Sequence, residues 1–159
     1  MTSASTACCP FSALRTVKPA RLGSPEEVVA LTQPVVFISH FGIKEGALED
    51  LKRLSEDVIE RLREQKPRTV LFLSYLDEQG SEISFLHAFP DADSMDAHFE
   101  GVDERVAAAY RYIEPRGWEI YGKPSDRALE SMRTSAEAGG VPLTVLPEHL
   151  GGFLRLRPG

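Results

Sequence analysis

Between Lys44 and Lys66 the apolar residues are Leu48, Leu51, Leu54, Val58, Ile59 and Leu62, and nearly all the others are charged. Their steps of 3, 3, 4, 1 and 3 are those of an α-helix with one apolar face. Pro67 stops it. A helix with one greasy stripe must lie on something, and the flanking segments say what. Val35-Val36-Phe37-Ile38-Ser39-His40-Phe41 reads as a strand, apolar on both sides and therefore covered on both. Thr69–Leu76 and Ser81–Phe89 read as two strands joined by the hairpin loop Asp77-Glu78-Gln79-Gly80. A second helix starts near Asp93, whose side chain can cap it, and carries Met95, His98, Phe99 and Val102 on one side. Gly101 bends it before Val106–Ile113 continues, and Gly117-Trp118-Glu119-Ile120-Tyr121 is a fourth strand.

The order over residues 35–122 is thus β-α-β-β-α-β, which predicts a ferredoxin-like α+β fold: an antiparallel sheet with its helices on one face. The other face would carry apolar groups with no helix over them, and a second copy packed sheet to sheet is the simplest cover. A homodimer is the expected assembly. Residues 1–34 read as a tail with a short helix, since Ser24-Pro25-Glu26-Glu27 is a capping box ahead of Val28–Leu31. Residues 123–159 read as an extension of the same domain, with a helix from Asp126 to Ala138 ended by Gly139-Gly140. Short strands follow at Val141–Leu146 and Gly152–Leu156.

Composition narrows the function. With 18 Lys and Arg against 24 Asp and Glu the net charge is −6, which argues against a phosphate-backbone binder. No apolar run approaches the roughly 20 residues of a bilayer span. Cys8 and Cys9 are adjacent and cannot staple distant segments, so a reducing, cytoplasmic setting is expected. Gly42-x-x-x-Gly46 lacks the Lys-Ser/Thr of a phosphate loop, and Ser74-Tyr75 lacks the glycines of a nucleophile elbow.

Of the four histidines, His40 and His87 end the first and third strands, here taken as central, adjacent and parallel, which would set both at one sheet edge. If residue 76 pairs with 81, Phe72 and Ser74 share a face with Phe85 and His87. His98, on the helix packed near that strand, can join them, as can Trp118. The expected site is therefore a pocket with His87, His98 and His40 as acid–base groups and Phe72, Ser74, Phe85 and Trp118 as substrate-binding walls. His40 and His87 have no third ligand on a neighbouring strand, so no metal and no cofactor is expected.

The topology, with Leu86-His87-Ala88-Phe89-Pro90-Asp91-Ala92-Asp93-Ser94-Met95-Asp96-Ala97-His98-Phe99, resembles the antibiotic biosynthesis monooxygenase family of dimeric α+β barrels. In that family a strand ends in a Glu-x-Trp element, followed by an acidic turn and a helix bearing a histidine. His87 stands at the Glu position, Phe89 at the Trp position and His98 at the helix histidine; the match spans about residues 35–122. The resemblance implies a cofactor-independent monooxygenase acting on a small aromatic or polyketide-like molecule, with a histidine taking the proton whose loss lets the substrate react with O₂. A cyclase or isomerase on a similar substrate, or a non-catalytic dimeric ligand-binding or structural protein, uses the same pocket.

Overall fold

β1 (Val35–Ile43) buries Val35, Phe37, Ser39 and Phe41, every second residue, against the helices. The computed structural model describes residues 33–152, so the capping box at Ser24 and the cysteine pair lie outside the described residues, as does all of the second C-terminal strand but Gly152. The other elements are α1 (Leu48–Gln65), β2 (Leu71–Leu76), β3 (Glu82–Phe89), α2 (Ala92–Phe99), α3 (Val102–Ala109), β4 (Ile113–Tyr121), α4 (Asp126–Gly139) and β5 (Leu143–Leu146). They build one sheet in the order β2-β3-β1-β4-β5. The first four strands are antiparallel and β5 runs parallel to β4, so the sheet is mixed, one strand wider than the β-α-β-β-α-β order gives.

β1 and β3 are antiparallel, not parallel as the sequence reading had them. The reason is connectivity: α1 returns the chain so that β2 runs with β1, and the tight β2–β3 hairpin then reverses β3. The hairpin pairs Leu76 with Ile83, two residues beyond the register expected, and Asp77 fixes it by accepting from the amides of Ser81 (2.6 Å) and Glu82 (2.8 Å). A slip of two residues keeps each side chain on its face. The second helix is capped by Asp91 rather than Asp93: Asp91 Oδ1 accepts from the Ser94 amide (2.7 Å) and hydroxyl (2.6 Å). Gly101, at φ 70°, ends α2 and turns the chain into α3.

Two apolar groupings hold the helices to the sheet. Phe89, Met95, Trp118 and Ile120 pack with Val35, Phe37 and Ala136 beneath α2 and α4. Phe41, Leu51, Ile83 and Ile113 pack beneath α1. α4 is fixed at its start by Ser125, whose hydroxyl accepts from the Ala128 amide and donates to Asp96 on α2.

Asp91 and Asp77 give the fold an acid dependence with a defined sign. The Ser94 hydroxyl and amide hold the Asp91 carboxyl below the ordinary carboxylate range, and the Glu82 amide, with the Ser81 hydroxyl, does the same for Asp77. Each therefore contributes stability that is present above about pH 4 and is lost as the pH falls through its lower, folded-state value. Asp91→Asn keeps an acceptor for Ser94 but cannot titrate. Its melting temperature is expected to decline less steeply than wild type between pH 5 and 2, read by circular dichroism; parallel declines would deny Asp91 that role.

Candidate functional site

The helix-facing side of the sheet is best read in rows. One row is Phe72, His87, Phe37 and Ile120, across β2, β3, β1 and β4; the next is Ser74, Phe85, Ser39 and Trp118. Over the middle of these rows α1, α2 and α3 do not close down fully, and a cavity of about 140 Å³ remains between the two apolar groupings. Its floor is Phe37, Ser39, Phe41, Phe72, Phe85 and His87. Its roof comes from Leu51, Leu54, Val58 and Leu62 of α1, His98 and Phe99 of α2, and Val102 and Val106 of α3.

The two histidines lie side by side on its wall. The rings of His87 and His98 are 5.0 Å apart between centroids and cross at 77°. Both are buried, at 6% and 4% exposure. Aromatic rings enclose them: Phe72 is 4.8 Å and Phe37 5.3 Å from His87, and Phe89 is 5.3 Å from His98. His87 Nδ1 lies 3.3 Å from the Phe37 carbonyl oxygen. A carbonyl only accepts, so in the neutral ring the proton sits on Nδ1 and the lone pair on Nε2. His98 Nδ1 meets the Thr69 hydroxyl at 2.8 Å.

The structure thus brings His87, His98, Phe72 and Phe85 to one cavity. It does not bring the other three expected residues there. His40 is on the opposite face of the sheet, because the antiparallel register sets Phe37 beside His87 and His40 beside Ser84. Ser74 and Trp118 share the correct row but sit toward its two ends: Ser74 on the edge strand β2, Trp118 beneath α4 in the core. Residues the sequence reading missed take their place, notably Ser39, Ser55 and Tyr110. Burial raises the Tyr110 phenol above its usual range, so it stays protonated as a donor. Its only sequence signal was an aromatic within the mostly apolar segment Val106–Ile113.

On the open face His40 belongs to a different string of polar groups. Its Nδ1 is 2.8 Å from the Ser84 hydroxyl and its Nε2 3.1 Å from Glu119, which also accepts from the Tyr121 hydroxyl. The Tyr121 hydroxyl, and secondarily His40, hold the Glu119 carboxyl below its usual range, while Glu119 raises the Tyr121 phenol. Around this string lie Val36, Ile38, Leu71, Leu73, Leu86 and Leu146. Among the described residues no group of three or more His, Cys, Asp or Glu is arranged to hold a metal ion, and no helix is long and apolar enough to cross a membrane.

No family model matches this chain, and no curated protein matches it significantly. Among solved structures, MupZ from Pseudomonas fluorescens has a TM-score of 0.57 at 16% identity, over 76% of this chain and 95% of that one. A conserved protein from Methanosarcina mazei has a TM-score of 0.51 at 14% identity, over 60% and 96%. SnoaB, a cofactor-independent oxygenase from Streptomyces nogalater, follows at 0.49 and 12%, over 58% and 95%. These likenesses concern the fold alone.

Proposed function

We propose that this chain, which has the ferredoxin-like α+β fold of the family its sequence resembles, is a cofactor-independent monooxygenase-like enzyme acting on a small aromatic molecule. One observation carries the reading: two buried histidines lie 5.0 Å apart on the wall of a cavity whose other described walls are mostly apolar. Such a wall suits removal of a proton from a flat, weakly acidic molecule and disfavours hydration of the anion that results. The lone pair on His87 Nε2 makes it the base, His98 its neighbour in handling the proton, and Tyr110 a donor for the developing oxyanion.

Size selects within the substrate class. A cavity of about 140 Å³ is comparable to voids that admit a benzene-sized guest. A single-ring hydroquinone fits it better than a tricyclic anthrone. The balanced reaction is hydroquinone plus O₂ giving hydroxyquinone plus water. His87 takes the phenolic proton, the anion passes an electron to O₂, and radical recombination forms a C–O bond. Loss of water from the peroxide leaves the new oxygen on the ring.

The apolar rows of the open face support the assembly expected from the sequence. Leu73 is 40% exposed, Tyr121 37% and Leu146 48%, and a second copy laid sheet to sheet would cover all three.

Oxygen uptake by metal-stripped protein, measured with hydroquinones, naphthoquinols and anthrones, tests the activity. Uptake that requires the protein, survives chelation and favours single rings is expected. Binding without uptake across the panel would overturn the oxygenase reading in favour of a cyclase, an isomerase or a ligand binder.

A further inference from the structure

His98 is set in a wall between two spaces. On one side is the apolar cavity; on the other is a surface depression of about 150 Å³ whose lining includes Lys66, Arg68, Thr69 and Ser94. The two depart in character. Among the described residues, the inner space has only histidines, serines and a tyrosine among its apolar walls, whereas the outer one includes Lys66, Arg68 and Glu100.

The loop between α1 and β2 grips the end of α2 at this point. Lys66 Nζ donates to the carbonyls of Ala97 (2.7 Å) and Glu100 (3.0 Å), where the last turn of the helix leaves its acceptors unmatched and its dipole favours a cation. Thr69 is held in the same turn, its amide donating to the Lys66 carbonyl at 2.9 Å, and the next residue is already tied to β3 through Val70 N and the Ala88 carbonyl at 3.0 Å. The Thr69 hydroxyl is therefore fixed in place before it meets His98 Nδ1 at 2.8 Å.

We propose that Thr69 is the positioning residue of the histidine pair, and that Thr69 and His98 together form the path by which protons pass between the cavity and the surface depression. The inference rests on the reading of the cavity as the place of proton transfer. A hydroxyl both donates and accepts, so it serves His98 in either charge state: it accepts from Nδ1–H of the imidazolium and donates to a bare Nδ1. A proton received by His98 at Nε2 can then leave at Nδ1 through the Thr69 oxygen, which returns the ring to neutrality as the other tautomer, with Thr69 now donating to the bare Nδ1. His87 Nδ1 faces the Phe37 carbonyl instead, which has no proton to exchange.

Thr69→Val removes the hydroxyl at nearly constant shape, and Thr69→Ser retains it. The first readout is the pair of imidazole ¹⁵N shifts of His98, followed through a pH titration by long-range ¹H–¹⁵N NMR on the full chain. The valine variant is expected to change the balance of His98 tautomers and displace its titration, with serine restoring both. The second is the pH profile of oxygen uptake with a single-ring hydroquinone. There valine is expected to lower kcat about tenfold and move the profile while leaving KM within twofold. Nitrogen shifts unaltered by valine, or altered equally by serine, would overturn the positioning role whether or not the protein consumes oxygen. Altered shifts with an unmoved pH profile would overturn the proton path. If valine prevents folding, the serine variant and Thr69→Ala carry the same comparison.

Discussion

Gly122→Ala is expected to destabilise the protein by about 3 kcal/mol or more, a large share of the roughly 5–15 kcal/mol that holds a typical domain folded. Gly122 follows the last residue of β4 at φ 93°, where an L side chain costs about 1–3 kcal/mol in backbone strain. Space makes matters worse. A Cβ there would stand 2.2 Å from the carbonyl oxygen of Pro34 and 3.4 Å from the Cα of Val35. Neither is the movable tip of a side chain. Relief would require shifting the start of β1, and Val35 is fully buried there, or breaking the bond from the Gly122 amide to the Leu146 carbonyl that ties in β5. Gly46→Ala supplies the comparison, since its φ of 73° carries similar strain but no atom lies within 4 Å of the added carbon. Urea unfolding should show Gly122→Ala losing at least twice what Gly46→Ala loses. Equal losses would mean that the two chain segments part easily at this crossing.

The strength of α1 as a sequence signal and the obscurity of the cavity have one cause. Leu51, Leu54, Val58 and Leu62 give the helix its clear period, and a period reports which way a face points, not how closely it is met. Here that face roofs an open volume, so a pattern that looks like ordinary core is the upper wall of the site. Alternation along the strands was informative in the same limited way. It put Phe72, Phe85 and His87 on one face, and the two-residue difference in hairpin register did no harm because it preserved parity. His40 was lost to the opposite error. Taking β1 and β3 as parallel neighbours sets both strand ends at one edge, whereas the antiparallel register joins odd residues to odd and leaves His40 with Ser84 and Glu119 on the open side.

β4 was read four residues short because Glu114, Pro115 and Arg116 do not look like strand. The ladder accommodates them by shifting register between His40 and Phe41, so that Pro115 pairs with Phe41 and Arg116 is skipped. Trp118 and Ser74 show what a one-dimensional pattern omits altogether. Both face the helices, yet position across the sheet decides the outcome, and that depends on α4 covering β4 and on β2 being an edge. Thr69 is the extreme case. Nothing in its neighbourhood of Lys66, Pro67 and Arg68 marks it as a partner for a histidine twenty-nine residues away.

His87→Gln is expected to lower kcat for a single-ring hydroquinone by about 10²–10⁴, the usual worth of a positioned general base, with KM changed little. Glutamine is the more useful substitution than alanine because it keeps a polar group near the Phe37 carbonyl and occupies part of the ring's volume. Alanine would enlarge a cavity already about 140 Å³ and mix a packing loss with a chemical one. The same change at His98 should cost less, about tenfold, because in the proposed mechanism His98 passes on a proton that His87 has already removed. It should also move the pH profile, which His87→Gln would flatten. The asymmetry follows from the two Nδ1 partners. A carbonyl pins the His87 proton on Nδ1 and keeps a lone pair on Nε2, while the Thr69 hydroxyl lets His98 exchange protons at both nitrogens. If His98→Gln instead proves the more damaging, the base is His98, and the fixed tautomer of His87 serves to orient the substrate. Equal losses, with no further loss in the double variant, would mean that the two rings, 5.0 Å apart, titrate and act as one unit.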